Sequence, residues 1–254
     1  RLVKKIALQE TDLAETVAAE KYKEAGELLT TYMYLLEKGM ENIRLSSFYR
    51  EGEEVNISLL PELAPMENIK RYFAKYNKAK KSQVSIAGQL EKNKEELDYI
   101  ESVLLNTEHA QTVEDLEQIR QELIEAGYLK AKPVKKGQKA AKTKDAALTE
   151  PLRYQSSSGH TILAGKNNKQ NDFLTLKKAQ KQDIWLHTQK IPGSHVIICQ
   201  EPHLPITDQT LLEAAAIAAW HSKARLSAQV PVDYTTVSQV KKPPGAKPGM
   251  VIYF

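Results

Sequence analysis

Cysteine is almost absent from this chain of 254 residues: Cys199 is the only one. No intrachain disulfide can form and no thiolate-held zinc site is available, which favours a reducing compartment. Long apolar runs are also missing. The longest, such as "LLEAAAIAAW", falls well short of the ~20 residues that a membrane-spanning helix needs. Catalytic spacings are equally scarce. There is no H-E-x-x-H, no G-x-S-x-G elbow and no G-x-x-x-x-G-K-[ST] phosphate loop, so neither a zinc hydrolase, a serine hydrolase nor a P-loop enzyme is indicated. The chain opens on "RLVKKIALQE" without a methionine, in what reads as mid-helix, and stops inside a strand-like segment at Phe254. Both ends are expected of a fragment cut from a longer protein.

What is present is enough for two ordinary domains, with 41% apolar residues to build their cores. The net charge of +4 conceals an asymmetry. Residues 1–129 carry 17 Lys+Arg against 24 Asp+Glu, whereas residues 151–254 carry 12 against 6. Between them, residues 130–150 hold 7 lysines and 2 acids. A basic C-terminal part on an acidic N-terminal part suggests that the former meets a polyanion, although a solvated surface with a lysine-rich linker gives the same counts.

Heptad order runs through residues 66–106. Ile69, Tyr76, Gln83, Leu90, Leu97 and Leu104 recur every seventh residue, with Tyr72, Ala79, Ile86, Asn93 and Ile100 three places after them. That is a coiled-coil seam, whose polar members Gln83 and Asn93 set register at some cost in stability. A helix of this length, at ~1.5 Å per residue, spans roughly 60 Å. Its expected partner is the opening helix, with a looser stripe of Leu2, Ile6, Leu13 and Val17. Alternation in "NIRLSSFY" and "EVNISLL", split by "REGE", predicts a β-hairpin at about 42–60. The segment "TVEDLEQIRQELIEAGYL" predicts a shorter helix capped by Thr112 and stopped near Gly127. Residues 130–149, poor in apolar side chains, read as a flexible basic linker.

From residue 150 the pattern changes to short alternating segments, interrupted by helical stretches near 171–180 and at 208–225. The fold class expected is therefore α+β: a long antiparallel helical coiled-coil arm with a small hairpin tip over 1–129, then a compact antiparallel α+β domain over 150–254, about ββαββαββ.

Three places in that second domain could carry chemistry. "DIWLHTQKIPGSHVIIC", Asp183 to Cys199, sets His187 and His195 on either side of a Pro-Gly turn. Two histidines across a hairpin are too few to define a metal site, which leaves a rigid turn or hydrogen bonds to a ligand. "AGKNNKQNDFLTLKKA", Ala164 to Ala179, places Lys166, Asn167, Asn168 and Lys169 between a strand and a helix, where free N–H groups suit an anion. Simple N-capping by Asn171 or Asp172 is the plainer alternative. Lys223 and Arg225 in "WHSKAR", with Lys241, Lys242 and Lys247 in the Pro/Gly-stiffened "VKKPPGAKPGMVIY", complete the basic set. Such cations can track phosphates while Trp185, Trp220 or Tyr234 stack on bases, although a sheet aromatic is as readily core.

The strings "GKNNKQND", "DIWLH", "IPGSHVII", "LLEAAAIAAWHSKAR", "VPVDYT" and "VKKPPGAKPGMVIY", in that order, resemble the C-terminal RNA-binding module of the NFACT family. Upstream, "YKEAGELL", "ENIKRYFAKYNK" and "EDLEQIRQEL" are similar to that family's coiled-coil and middle region. The resemblance implies a non-catalytic, cofactor-free, cytoplasmic partner of the large ribosomal subunit that still carries peptidyl-tRNA. In that role it would recruit tRNA, alanyl-tRNA in bacteria, so that stalled chains receive a C-terminal tail. The family's tRNA-reading acidic/basic pair belongs to its N-terminal domain and has no counterpart in this sequence. Under the same resemblance the Asp183–Cys199 hairpin is a rigid element without metal or bond-making chemistry. Some family members are known as fibronectin/fibrinogen-binding proteins, which implies a cell-surface adhesin as the second reading.

Overall fold

A computed structural model of the chain describes residues 1–17, 19–50, 52–131 and 150–254. Most of the expected linker, residues 130–149, lies outside the described residues. The chain divides into two compact units, Arg1–Leu97 and Asp98–Phe254.

In the first unit, helices α1 (Leu2–Val17) and α2 (Glu20–Thr31) run against the first part of a 45-residue helix, with strands β1 (Asn42–Ser46) and β2 (Glu54–Ser58) between them; the long helix is α3 (Pro65–His109). The pairing of α1 with α3 is antiparallel. Asn93 Nδ2 donates to Gln9 Oε1 at 2.6 Å, Lys5 Nζ donates to Asn93 Oδ1 at 3.2 Å, and Lys94 pairs with Glu10 at 2.8 Å. Nearer the tip, Tyr22 meets Tyr72, and Gly26 lies against the Phe73 ring. Any side chain at Gly26 would push that ring away.

The hairpin forms as its alternation predicts, with Ile43 opposite Ile57 and Leu45 opposite Val55. Leu45 and Ile57 bury with Leu28, Leu29, Ile69 and Tyr72 to make the tip core. Each such side chain contributes roughly 2 kcal/mol. Asn68 fastens the turn into α3 by bonding both the N–H and the C=O of Leu60, at 2.9 and 3.0 Å.

The heptad seam holds only part of the way. Ile69, Tyr72, Leu90 and Asn93 are buried, but Leu104, expected in the same stripe, is 59% exposed. Beyond Leu97 burial moves to Tyr99, Val103, Leu105 and Asn106, out of the heptad phase. These last turns belong to the second unit and present a different face to different neighbours.

The second unit begins there and continues with α4 (Val113–Glu125). Thr112 caps it in a reciprocal box with Asp115, and Gly127, at φ +80°, ends its last turn. Then follow β3 (Leu152–Gln155), β4 (Thr161–Ala164), α5 (Asn168–Phe173) with a wider π-type turn over Leu174–Lys178, β5 (Ile184–Thr188), β6 (Val196–Ile198), α6 (Asp208–Trp220), β7 (Val232–Thr236), β8 (Val240–Lys241) and β9 (Ile252–Tyr253). Five strands make one fully antiparallel sheet in the order β3-β4-β6-β5-β7. Strands β8 and β9 form a separate pair.

Both faces of the sheet are covered. Ile162, Leu186, Val196 and Ile198 meet Ala214 and Ala218 of α6, while Leu163, Trp185 and Ile197 meet Leu174, Val237 and Val240 on the other face. That explains why the central strands read as near-continuous apolar runs. Helix α6 stops at Trp220 instead of reaching residue 225. The chain there turns to bridge Ser222 with Gly193, and Ser194 N–H donates to the His221 carbonyl at 3.1 Å. Tertiary pairing thus ends a helix whose local composition would let it continue.

Candidate nucleic-acid interface

Strand β4 delivers the chain to Gly165, where the "GKNNKQND" segment turns into α5. A Cβ at Gly165 would run into the Asn171 side chain, so the approach requires glycine. The N-cap is Asn167, whose side chain accepts from Gln170 N–H, and not Asn171 or Asp172 as the sequence suggests. Asn171 instead reaches across the sheet edge. Its Oδ1 accepts from His195 N–H at 3.1 Å, and its Nδ2 donates to the Gly193 carbonyl.

The four candidate residues at this turn face inward, onto the polar side of α4 and the end of α3. Asn167 donates to Gln118 at 2.9 Å, and Asn168 donates to Glu122 at 3.0 Å and to Ser102 at 2.9 Å. Lys166 pairs with Asp115 at 3.6 Å, and Lys169 with Glu125 at 2.8 Å. Burial raises the Glu122 carboxyl above its ordinary range, against the opposing pull of the Asn168 amide. Hydrogen bonds from Lys169 lower Glu125.

Sequence reasoning missed these acids. Their signal is the spacing Asp115, Gln118, Glu122, Glu125 (i, i+3, i+7, i+10), a polar stripe along one face of α4. It was masked because a polar stripe on a helix ordinarily faces water.

The Pro/Gly loop behaves similarly. Lys242 pairs with Asp172, whose other oxygen accepts from Gly249 N–H at 3.1 Å. Gly249 has φ +80°, and a Cβ there would crowd Asn168. Lys247 bonds the Tyr128 hydroxyl and lies 4.6 Å from the Tyr99 ring centroid and 4.7 Å from that of Tyr128. Lys241 is exposed and lies over Phe254.

The Asp183–Cys199 stretch does place its two histidines across from each other, with ring centroids 5.5 Å apart and edge to face. Trp185, in the sheet core, stacks on the half-buried His187 and meets His195 edge-on. His195 is 1% exposed, and its Nδ1 bonds Thr175 Oγ1 at 2.7 Å. Burial, then the neighbouring His187, push His195 well below the ordinary imidazole value, and burial lowers His187 too. Both rings are therefore neutral near pH 7. Among the described residues there is no group of three or more His, Cys, Asp or Glu side chains that could hold a metal ion.

At the end of α6, Lys223 pairs with Glu101 at 2.8 Å, while Arg225 lies over the Trp220 ring, 5.3 Å from its centroid. Of the three aromatics that could stack on bases, Trp185 is core, and Trp220 and Tyr234 are exposed. In the first unit, residues 70–81 of α3 carry six Lys and Arg and no acid, a basic stretch that the seam analysis passed over. Among the described residues no helix is long and apolar enough to cross a membrane.

Comparison with known proteins places these features in context. Residues 1–142 match the family model for the NFACT N-terminal and middle domains, and residues 151–253 match the NFACT protein RNA binding domain. The chain is 44% identical over 251 residues to the Rqc2 homolog RqcH of Bacillus subtilis, covering 98% of this chain and 42% of that protein. It is 41% identical over 251 residues to the Rqc2 homolog RqcH of Streptococcus suis, covering 98% of this chain and 43% of that one. It thus spans less than half the length of these relatives. Among solved structures, the C-terminal part of the fibronectin/fibrinogen-binding protein from Streptococcus suis superposes with a TM-score of 0.70 at 35% identity, covering 100% of this chain and 84% of that one.

Proposed function

The chain belongs to the NFACT family, and on that premise we propose that it is the C-terminal part of a ribosome-associated quality-control factor. In this role it helps hold the obstructed large ribosomal subunit and tRNA while stalled chains are tailed, with alanyl-tRNA as the donor in a bacterium. The observation that carries the reading is the match of residues 151–253 to an RNA-binding domain model on a stretch with twice as many cations as acids. Its work is non-catalytic: cations neutralise phosphates and release counterions, and a rigid sheet fixes their spacing.

Within the basic set, Lys223, Arg225 and Lys241 are exposed and form the first contact surface. Lys166, Lys169, Lys242 and Lys247, already engaged internally, orient the loops that carry them. Asn167, Asn168, His187 and His195 act from the interior as supports.

The test is fluorescence anisotropy of the chain with labelled bulk tRNA from ~50 to ~200 mM salt. Binding that falls steeply with salt is expected. Replacing Lys223, Arg225 and Lys241 together should weaken it and flatten the slope. Absence of tRNA binding at the lowest salt overturns the reading.

A second reading rests on the solved structural neighbour, whose name assigns it fibronectin and fibrinogen binding. Saturable, salt-resistant binding to immobilised fibronectin, in a chain that ignores tRNA, would put that reading first.

A further inference from the structure

Within the second unit, a cleft of about 280 Å³ opens beside the end of α6, and Trp220, Arg225, His109, His221 and Lys166 are among its lining. That size is near the lower end of small-ligand sites, ~300–1,000 Å³, so it has room for one compact group and not for a stacked pair. Its chemistry is unlike the rest of the basic surface.

Trp220 is 58% exposed at its rim, in a domain whose other tryptophan, Trp185, is wholly buried. The Arg225 guanidinium lies over that indole and makes no salt bridge among the described residues. Lys166, Lys169, Lys223 and Lys242 are all held by carboxylates. Arg225 is thus a cation over an aromatic ring, with no carboxylate paired to it among the described residues.

The two histidines of the cleft wall are neutral hydrogen-bonding groups. Arg225 Nη1 donates to His109 Nε2 at 3.4 Å, and because arginine only donates, that nitrogen accepts and the proton sits on Nδ1. His221 Nε2 bonds the Tyr154 hydroxyl at 2.7 Å and its ring meets that of His109 edge-on. Burial and the nearby cation lower His109, and burial brings His221 down to about 4, so both are uncharged hydrogen-bonding groups at neutral pH.

Two acids also line the cleft. Asp115 is committed to Lys166 and to the Thr112 cap, while Glu108 lies on the wall. A carboxylate there repels a phosphate and accepts from an exocyclic amine. A base therefore goes inward and its phosphate stays at the rim.

We propose that this cleft takes one unstacked nucleotide of a single-stranded RNA, with its base on the Trp220–Arg225 platform, its edge toward His109 and His221, and its phosphate at the rim. The proposal rests on the RNA-binding reading and makes it specific. A paired duplex keeps its bases stacked and cannot fill the cleft, whereas a loop or tail can splay one out.

The experiment compares wild type with Trp220→Ala, Trp220→Phe and Arg225→Lys. The probes are a fluorescein-labelled mixed-sequence single-stranded RNA and the same RNA annealed in a blunt duplex. Base stacking on an aromatic supports a loss of roughly tenfold for Trp220→Ala on the single strand, with duplex binding changed less than twofold. Trp220→Phe should restore most of it. Arg225→Lys, which keeps the charge and loses the plane, should fall between. Thermal melting of each variant checks that the exposed site tolerates the change. Unchanged single-strand binding, or equal loss on both probes, overturns the cleft while leaving general RNA binding intact. A wild-type chain that binds neither probe overturns the RNA reading itself.

Discussion

Helix α3 is used in two different ways along its length. From Ile69 to Leu97 it presents a heptad stripe, and the polar residue buried in that stripe, Asn93, pairs with Gln9 and Lys5 of an antiparallel partner. From Asp98 onward the buried residues are Tyr99, Val103, Leu105 and Asn106, and Leu104 turns outward. The same regular helix thus follows two phases. Periodicity reports that a helix exists and that one face is apolar, but the neighbours choose which face is buried. The polar contacts differ as well. In the first unit they fix a register between two helices. In the second they form a buried network in which Asn167 and Asn168 bind the polar stripe of α4.

The strongest way to break this comparison is Asn168→Ala. It leaves Glu122, which is 1% exposed, without its amide donor, and should cost about 3 kcal/mol in urea unfolding. Glu122→Gln, which keeps shape and removes the charge, should cost far less at pH 7 or be stabilising. If both variants lose equally, the network is not governed by the buried charge.

The change of phase is tested within two adjacent residues. Val103→Ala should destabilise by about 2 kcal/mol, and Leu104→Ala by less than about 0.5 kcal/mol. Equal losses would restore the uninterrupted heptad.

Acid should act on the second unit through its histidines. His187, His195 and His221 all lie below the ordinary value of 6.5, with His221 at about 4. Below about pH 6.5 the unfolded chain binds protons that these folded rings refuse, so stability falls as pH falls through that window. Glu122, raised by burial, works in the opposite sense, so the melt is best taken in Glu122→Gln. A drop in Tm of about 4 °C between pH 7.5 and 5 is expected. A Tm that rises instead would mean that the rings are protonated in the folded state.

A small effect is also expected in the first unit. Replacing Gln9 and Asn93 together by leucine removes both partners of a buried pair and should change stability by ~1 kcal/mol or less, towards stabilisation. Light scattering then reads whether register or oligomeric state has been lost. A large destabilisation would show that the two units use buried polar groups in the same way.

Local chemistry alone determined a good deal of this protein. Alternation located the hairpin of Ile43, Leu45, Val55 and Ile57, Thr112 announced the start of α4, and the family strings in residues 165–253 identified the domain. All of these depend on residues a few places apart, whose interaction energy is set by the backbone they share. The tertiary structure decided what no short window contains. It turned Lys166 and Lys169 toward α4, enclosed His195 in the core, stopped α6 at Trp220, and left Arg225 on an exposed indole. The physical reason is that a lysine beside water and a lysine beside a distant carboxylate look identical along the chain. Charge and hydrogen bonding are settled by whichever group arrives within about 3 Å, and for Lys166, Lys169 and His195 that group lies tens of positions away in sequence.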